Sequence, residues 1–281
     1  MVMTIEKGRR GRAAFIAELE TYSEFKILKK LVDDPEVSPS DVVQEIVNIT
    51  STKAAANKEI DLGAHPWYTF LALIELAQRT PPSRQTKLVE FVSQLQKLQV
   101  TNPWTNEPLA RDGELLWTDL PALGYTASDE WHGHLPKHPT TTEEEKRRFE
   151  NYVAFLAQLS TAADIDYTDP AARVHPMDFS FWCLVAFIEA AEPEEGKQVP
   201  SDHAVRTASM WALYGADRFW ANVKHGRIFD RRGDDPGTKI TREMWDGWYQ
   251  TLVAAESTRT DEDTKRLVGE AIAKMQKASE K

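Results

Sequence analysis

The sequence contains very little cysteine. Cys183 is the only cysteine among 281 residues, so an intrachain disulfide is excluded, and a metal site built from several thiolates is excluded as well. The large apolar side chains of Trp182 and Leu184 flank Cys183. This setting predicts a buried, unreactive thiol rather than a nucleophile.

Basic residues are also scarce relative to acidic ones. The 44 acidic residues outnumber the 34 basic residues, which gives a formal net charge of −10. Binding to a phosphate backbone or to an anionic membrane surface needs clustered lysine and arginine. The two basic runs, at 7–12 and 224–232, are short and interrupted by glycine. We therefore expect neither a nucleic-acid partner nor a membrane partner.

Long apolar runs are missing too. No stretch of about 18 apolar residues, the length needed for a transmembrane helix, occurs in the sequence. The first residues, Met-Val-Met-Thr-Ile-Glu, do not resemble the apolar core of a signal peptide. We expect a cytoplasmic protein.

The common catalytic and cofactor motifs are absent. The 13 glycines form no phosphate-binding loop and no dinucleotide fingerprint, and the sequence has no Gly-x-Ser-x-Gly. The acidic residues at 234–235 and 261–263 have loop and helix-cap settings rather than the helical setting of a magnesium site. We therefore expect no cofactor.

Helical periodicity dominates what is present. Apolar residues recur at helical spacing from 15 to 31 and in most later segments, and no convincing strand alternation occurs. The sequence predicts an all-α fold of roughly eight to ten helices. We expect one domain over 1–281, with possible halves at 1–98 and 142–281 joined by the irregular segment 99–141. The apolar helix that follows Asp178 is expected to be central.

The most informative part of the irregular segment is 115–124, Leu-Leu-Trp-Thr-Asp-Leu-Pro-Ala-Leu-Gly. A connection with this apolar content is expected to pack onto a core or to close a pocket. Trp117 is therefore predicted to be buried against the helices at 67–77 and 178–190. Asp119 is a candidate pocket carboxylate, but a turn before Pro121, stabilised by its side chain, is the favoured interpretation.

Five segments occur in a characteristic order: 65–77 (HPWYTFLALIELA), 116–124 (LWTDLPALG), 150–159 (ENYVAFLAQL), 181–184 leading to 188–189, and 208–215 (ASMWALYG). In this arrangement the chain resembles a fungal family of unknown function that includes a protein associated with an oxopyrrolidine biosynthetic gene cluster. The resemblance implies a cytosolic helical protein, sometimes encoded beside enzymes of secondary metabolism. It implies no catalytic residues. The loops after Trp131 and at 164–176 are longer than this family leads us to expect.

The best candidate site lies on the helix that begins near Asp202. Residues 203, 207, 210, 211 and 214 share one helical face. We predict His203 and Tyr214 as an acid/base pair, with Asp119 as a third catalytic candidate. The predicted ligand-binding residues are Trp117, Trp131, Trp182, Arg206, Thr207, Met210 and Trp211. The alternative is structural: Asp202 as the N-cap, an Asp202–Arg206 surface pair and Tyr214 in the core.

Two other candidates are interpreted as structural. His132, His134, His138 and Glu143 have a spacing that could bind Zn²⁺, but an exposed loop is favoured and no metal is expected. Asp178 is more typical of a helix N-cap than of a base.

Two functions remain open at this point. The first is a small-molecule-binding protein with an aromatic pocket for an apolar or aromatic molecule, acting as a cofactor-independent cyclase or isomerase. The second is a helical protein-interaction module without catalytic activity. Convergence of His203, Thr207 and Tyr214 in one pocket would favour the first function.

Overall fold

The computed structural model describes residues 2–56, 62–133, 141–194, 196–229 and 237–281. It is mostly helical, at 68%. The described ranges contain eleven α-helices, slightly more than predicted, and two very short strand pairs. The all-α prediction is confirmed. None of the described helices has both the length and the apolar character required to cross a bilayer.

The chain divides into two compact units, at 1–134 and 135–281. The boundary falls within the segment 99–141 that the sequence indicates as the join between halves. The first unit contains α1 (Val2–Leu19), α2 (Ser23–Asp33), α3 (Pro39–Ala56), α4 (His65–Arg79), α5 (Thr86–Leu95), β1 (Ala110–Arg111), β2 (Glu114–Leu115) and α6 (Pro121–Gly133). The second contains α7 (Glu143–Ala162), α8 (Cys183–Ala191), α9 (Asp202–Lys224), β3 (Ile228–Phe229), β4 (Thr238–Lys239), α10 (Arg242–Thr258) and α11 (Glu262–Ser279).

The prediction of one helical segment over 15–31 is wrong in one respect, because the chain forms two helices there, α1 and α2. The hydroxyl of Thr21 donates to the carbonyl of Glu18 at 2.7 Å, and the Thr21 amide donates to the same carbonyl. Tyr22 is extended, with φ −74° and ψ 153°. Side-chain hydrogen bonds of this kind compete with the helical ladder. The chain therefore turns, and α2 then packs against α3, α4 and α5.

The central segment is more regular than expected. Asp112 and Gly113 both have positive φ, which matches the Asp-Gly turn of a two-residue hairpin and joins β1 to β2. Leu120 also has positive φ, at 48°, a strained conformation for a bulky residue. Pro121 then begins α6 and has no amide hydrogen to leave unpaired. The helix buries Ala122, Leu123, Thr126 and Ala127.

In the second unit, α9 packs against α7, α8, α10 and α11. The N-cap of α9 is Ser201, whose hydroxyl accepts from the Ala204 amide at 3.1 Å. The alternative that Asp202 is the cap is therefore wrong. Thr142, Thr241 and Asp261 cap α7, α10 and α11 in the same way. The predicted cap at the start of the last helix is confirmed.

The helix α8 is only partly buried. Cys183, Ala186, Phe187 and Ala190 face the core, and the predicted burial of the Cys183 thiol is confirmed. Burial raises the pKa of this thiol well above its usual value, and the nearby Asp178 raises the pKa further. Val185 and Ile188 are exposed, the latter at 57%. This exposure does not fit the prediction of a central helix. Within the second unit, α8 packs against α9 and α10.

Candidate functional site

An ion pair between two helices of the second unit is the centre of the candidate site. Arg206 of α9 donates from Nε and Nη2 to the two carboxylate oxygens of Glu150 of α7, at 2.9 and 3.0 Å. Arg206 Nη1 also donates to the hydroxyl of Thr264, at 3.3 Å. Two parallel bonds of this kind fix both the position and the orientation of a carboxylate.

His203 lies on the same face of α9, one turn before Arg206. Its Nδ1 is 3.6 Å from Glu150 Oε1, and its ring centre is 6.0 Å from that of Phe149. Burial alone would raise the pKa of Glu150, but the interactions with His203 and Arg206 outweigh burial and lower the pKa below its usual value. The carboxylate beside His203 is therefore ionised at neutral pH, and it favours a proton on Nδ1.

Thr207 follows on the same face and has an unusual hydroxyl. Its side chain is 3% exposed, and Oγ1 has no hydrogen-bond partner among the described residues. Six other buried hydroxyls in helices or at a helix end donate to the carbonyl four residues earlier: Thr50, Thr69, Thr80, Thr126, Ser160 and Ser209. An unpaired buried hydroxyl costs about 1–3 kcal/mol, so packing alone does not explain the threonine at position 207.

A buried aromatic cluster continues from this face of α9. Trp211, one turn after Thr207, contacts Phe219 with ring centres 6.0 Å apart. Phe219 contacts Trp248 at 6.3 Å, and Trp248 stacks on Phe187 at 4.6 Å. The cluster joins α8, α9 and α10, and it places a large apolar surface beside the polar group at the start of α9.

The structure brings together three of the predicted residues, His203, Arg206 and Thr207. The buried side chains of Met210 and Trp211 follow on α9. The alternative surface pair Asp202–Arg206 is wrong, because Arg259 is the partner of Asp202, at 2.7 Å. Trp182 is half-buried in a short 3-10 helix, Ser180–Trp182, with its ring edge against Phe179.

Tyr214 does not join His203. They are eleven positions apart in one α-helix, which is about 16 Å along the axis, so the two side chains cannot act on the same reacting atom. Burial raises the pKa of the half-buried Tyr214 hydroxyl, and the charge of Glu270 raises it further. The predicted acid/base pair is therefore not formed.

The other predicted residues belong to the first unit. Trp117 is 1% exposed and packs against Phe70 and His65 of α4, which confirms the first half of its predicted position. Its predicted contact with 178–190 stays a prediction. The Leu115 amide donates to the Asp119 carboxylate at 2.7 Å. This contact stabilises a turn, which agrees with the favoured interpretation of Asp119. Trp131 is half-buried near the end of α6.

Glu150, the carboxylate that organises the site, was not among the residues predicted from the sequence. It lies within the segment 150–159, but a glutamate in an amphipathic helix is usually exposed. A usable signal was its position directly after Phe149 and before Tyr152 and Val153, on the apolar side of the helix.

A second buried polar group lies in the first unit. His65 Nδ1 is 2.7 Å from Glu24 Oε1, and His65 Nε2 is 3.0 Å from Thr50 Oγ1. All three side chains are buried, and Thr50 also donates to the Ile46 carbonyl. The order carboxylate, imidazole, hydroxyl resembles a nucleophilic triad, but a hydroxyl with no exposure cannot reach a substrate. The group connects α2, α3 and α4.

Part of the predicted histidine loop lies outside the described residues, including His134 and His138. His132 is exposed at the end of α6, and its Nδ1 is 2.8 Å from the Ser128 carbonyl. Within the described ranges, no three histidine, cysteine, aspartate or glutamate side chains come close enough to bind a metal ion. The acidic pair at 234–235 also lies outside those ranges.

Residues 67–252, about two thirds of the chain, match the family described as "Protein of unknown function (DUF3632)". The chain belongs to this family. The DUF3632 span includes Glu150, His203, Arg206, Thr207 and the aromatic cluster. No curated protein and no solved structure matches the chain. The function of this DUF3632 protein therefore has to be argued from its own residues.

Proposed function

We propose that the second unit binds a small aromatic molecule beside α7 and α9, with Thr207 and His203 as its polar contacts. The unpaired, buried hydroxyl of Thr207 carries this proposal. Ligand sites are mostly apolar, with a few polar groups that fix orientation. Thr207 lies between His203 and Trp211 on one face of α9, so a polar contact and an aromatic surface are adjacent.

His203 is the group that we propose for proton transfer. Glu150 is held ionised by Arg206 and lies 3.6 Å from Nδ1. A carboxylate in this position orients the imidazole with Nδ1 towards Glu150 and leaves Nε2 as the nitrogen that exchanges a proton. This arrangement suits a cyclisation or isomerisation that needs only positioning and one acid/base group. Neither Tyr214 nor Asp119 takes part in this proposal.

The family resemblance suggests where the protein acts. We place the protein in the cytoplasm, beside enzymes of fungal secondary metabolism. A small aromatic ligand is a reasonable substrate or product in that setting.

The second candidate function is protein binding without catalysis. The observation that favours it is the exposed apolar surface of α8, where Val185 and Ile188 occupy one side of the helix. Exposed apolar patches of this kind are frequent at interaction sites. On this view Thr207 is a tolerated defect of packing and His203 is a structural partner of Glu150.

Ligand-observed NMR with phenol and toluene separates the two functions. Phenol carries the hydroxyl that Thr207 and His203 would bind, whereas toluene has the same size without it. We expect phenol to bind more tightly than toluene, and Thr207→Val to remove that preference. One lost hydrogen bond corresponds to about a tenfold change in affinity.

Thr251→Val provides the matched control, because Thr251 donates to the Gly247 carbonyl in α10. This variant should leave phenol binding unchanged. His203→Ala should weaken phenol binding while circular dichroism shows an intact fold. Equal binding of phenol and toluene, or equal phenol binding by the wild type and Thr207→Val, would reject the proposed site in favour of the interaction module.

A further inference from the structure

The exposed apolar side chains of the second unit lie on two helices whose C-terminal ends meet. The Glu194 amide, just after α8, donates to the Val199 carbonyl at 3.0 Å, and Arg259 at the end of α10 donates to the Pro200 carbonyl at 2.9 Å. The large apolar residues exposed in the described part of this unit are Val185 and Ile188 of α8, Val199 of the following loop and Val253 of α10. An exposed apolar area of this kind is frequent at interaction sites.

The exposed face of α8 ends in acidic residues. Glu192, the C-cap of α8, follows Val185 and Ile188 at the spacing of one helix face, and we call these three residues the α8 face. The segment 181–200 contains four glutamates and one lysine, and the C-terminus of a helix adds partial negative charge. Two α8 faces would therefore repel each other. The α8 face fits an apolar surface with net positive charge.

Among the described helices, α1 has these properties. Large apolar side chains are exposed on four of them: α1, α6, α8 and α10. Of these four, only α1 is net positive, with four basic and two acidic residues. The helices α6, α8 and α10 are all net negative. The main neighbour of α1 is α4, and Phe15 of α1 is 40% exposed.

Two glycines suit α1 to close contact with another helix. Gly8 and Gly11 lie inside α1, where glycine lowers helix stability relative to alanine. A Cβ at either position would meet nothing within 4 Å, so packing within the described part of the chain does not require glycine there. Gly11 and Phe15 are four residues apart on one side of α1, and both are exposed. The missing side chain at Gly11 leaves a notch beside Phe15 that can accept a side chain of another helix.

We propose that α1 of one copy of the chain binds the α8 face of a second copy. In this contact Ile188 lies against Gly11 and Phe15. The exposed Arg10 lies near Glu192. Removal of apolar surface from water drives the association, and the opposite charges orient it. Two such contacts related by a two-fold axis close a dimer. The contact uses no residue of the proposed ligand site, so ligand binding and association test separate proposals.

Sedimentation velocity of the full chain over a concentration series measures the association. We expect the wild type to dimerise and Ile188→Asp to weaken dimerisation by about tenfold or more, because a charge replaces the central apolar contact. Tyr125→Asp is the matched control, since Tyr125 is 64% exposed on α6 and lies outside the contact. Both variants change exposed side chains, so circular dichroism should show an intact fold. A wild type that stays monomeric up to about 1 mM, or that dimerises equally after Ile188→Asp, would overturn the inference.

A mixing experiment tests whether α1 is the occupant. Gly11→Leu fills the notch of α1 and leaves the α8 face unchanged, whereas Ile188→Asp does the reverse. Each variant should be monomeric alone, but a mixture should associate, because it contains an intact α1 and an intact α8 face. Ala13→Leu is the control, since Ala13 is exposed on the side of α1 away from Phe15, and this variant should dimerise like the wild type. A mixture that stays monomeric would overturn the proposed contact.

Exchange of charges tests the orientation of the two helices. Arg10→Glu and Glu192→Arg should each weaken dimerisation about two- to fivefold, the range of an exposed ion pair. The double variant should restore the wild-type affinity, because the charges are then exchanged rather than lost. Added salt should weaken dimerisation of the wild type. A double variant that dimerises more weakly than both single variants would contradict the pairing of these two residues.

Discussion

Glu24 and Glu150 are buried carboxylates that remain ionised because each has a partner on another helix. Burial alone would raise both pKa values, but His65 lowers that of Glu24, and His203 and Arg206 lower that of Glu150. A folded-state pKa below the unfolded value adds stability above the unfolded pKa, and this stability is lost as pH falls through the folded pKa. Both units therefore depend on carboxylates that acid will protonate.

Glu150→Gln tests this dependence in the second unit. The variant keeps the shape of the side chain but removes the charge that Arg206 and His203 contact, so we expect a loss of about 1–3 kcal/mol at pH 7. The difference from wild type should shrink as pH falls below 4.5, the usual value for glutamate, because the wild-type carboxylate then becomes neutral too. Urea unfolding at several pH values measures the difference. A difference that stays constant down to pH 3 would show that charge is not its cause.

Trp117 has the clearest packing role among the predicted residues. Its ring is almost completely buried against Phe70 and His65. Trp117→Ala should lower the free energy of unfolding by about 3–5 kcal/mol. Trp104→Ala is the control, because Trp104 is 48% exposed, and its loss should be much smaller. Similar losses in the two variants would contradict the core assignment of Trp117.

The individual residues of the site were only partly predictable. Helical spacing alone places His203 and Thr207 on one face of α9, and the structure agrees. The partner of Arg206 is 56 positions away along the chain, and no local pattern indicates it. The sequence suggested Asp202 instead, because a neighbour four residues away on a helix is the pair that spacing can detect.

At the scale of single elements, apolar periodicity predicted most helices. It failed where a side-chain hydrogen bond or a positive φ determines where a helix ends or begins. The Thr21 hydroxyl lies where α1 ends, inside a segment whose apolar spacing predicted a helix. In the central segment, the positive φ of Leu120 turns the chain so that α6 can begin at Pro121. Five prolines between 99 and 141 suggested irregular structure, although proline also favours the first turn of a helix.

Two glycines in helices of the second unit offer a matched comparison. A Cβ at Gly215 of α9 would lie 2.6 Å from the Phe219 ring, whereas a Cβ at Gly247 of α10 would meet nothing within 4 Å. Gly215→Ala should therefore destabilise the unit by about 1–3 kcal/mol through overpacking. Gly247→Ala should stabilise it by up to about 1 kcal/mol, because alanine favours the helix.

Thermal unfolding of the two variants shows whether the Phe219 ring requires glycine. The two changes add the same methyl group to helices of the same unit, so intrinsic helix propensity cancels in the comparison. Stabilisation by both would show that Phe219 moves aside, and the aromatic cluster would then be less tightly packed than the ring contacts of Phe219 and Trp248 indicate.

At the scale of the whole molecule, the two compact units have separate polar centres. Glu24, Thr50 and His65 connect three helices of the first unit, and Glu150 with Arg206 connects two helices of the second. The sequence predicted the all-α class, because periodicity and the lack of strand alternation are visible locally. It suggested possible halves at 1–98 and 142–281, but it did not place residues 99–134 in the first unit, since that assignment depends on contacts between distant segments.

Separate expression of 1–134 and 135–281 tests the division. Each fragment has the size of a typical domain and contains its own buried aromatic and aliphatic side chains. We expect each to show helical circular dichroism and a cooperative urea transition. The second fragment should also keep the phenol preference that depends on Thr207, because all contacts of the proposed site lie within it. A fragment 135–281 that folds cooperatively but has lost that preference would contradict the assignment of the phenol site to the second unit.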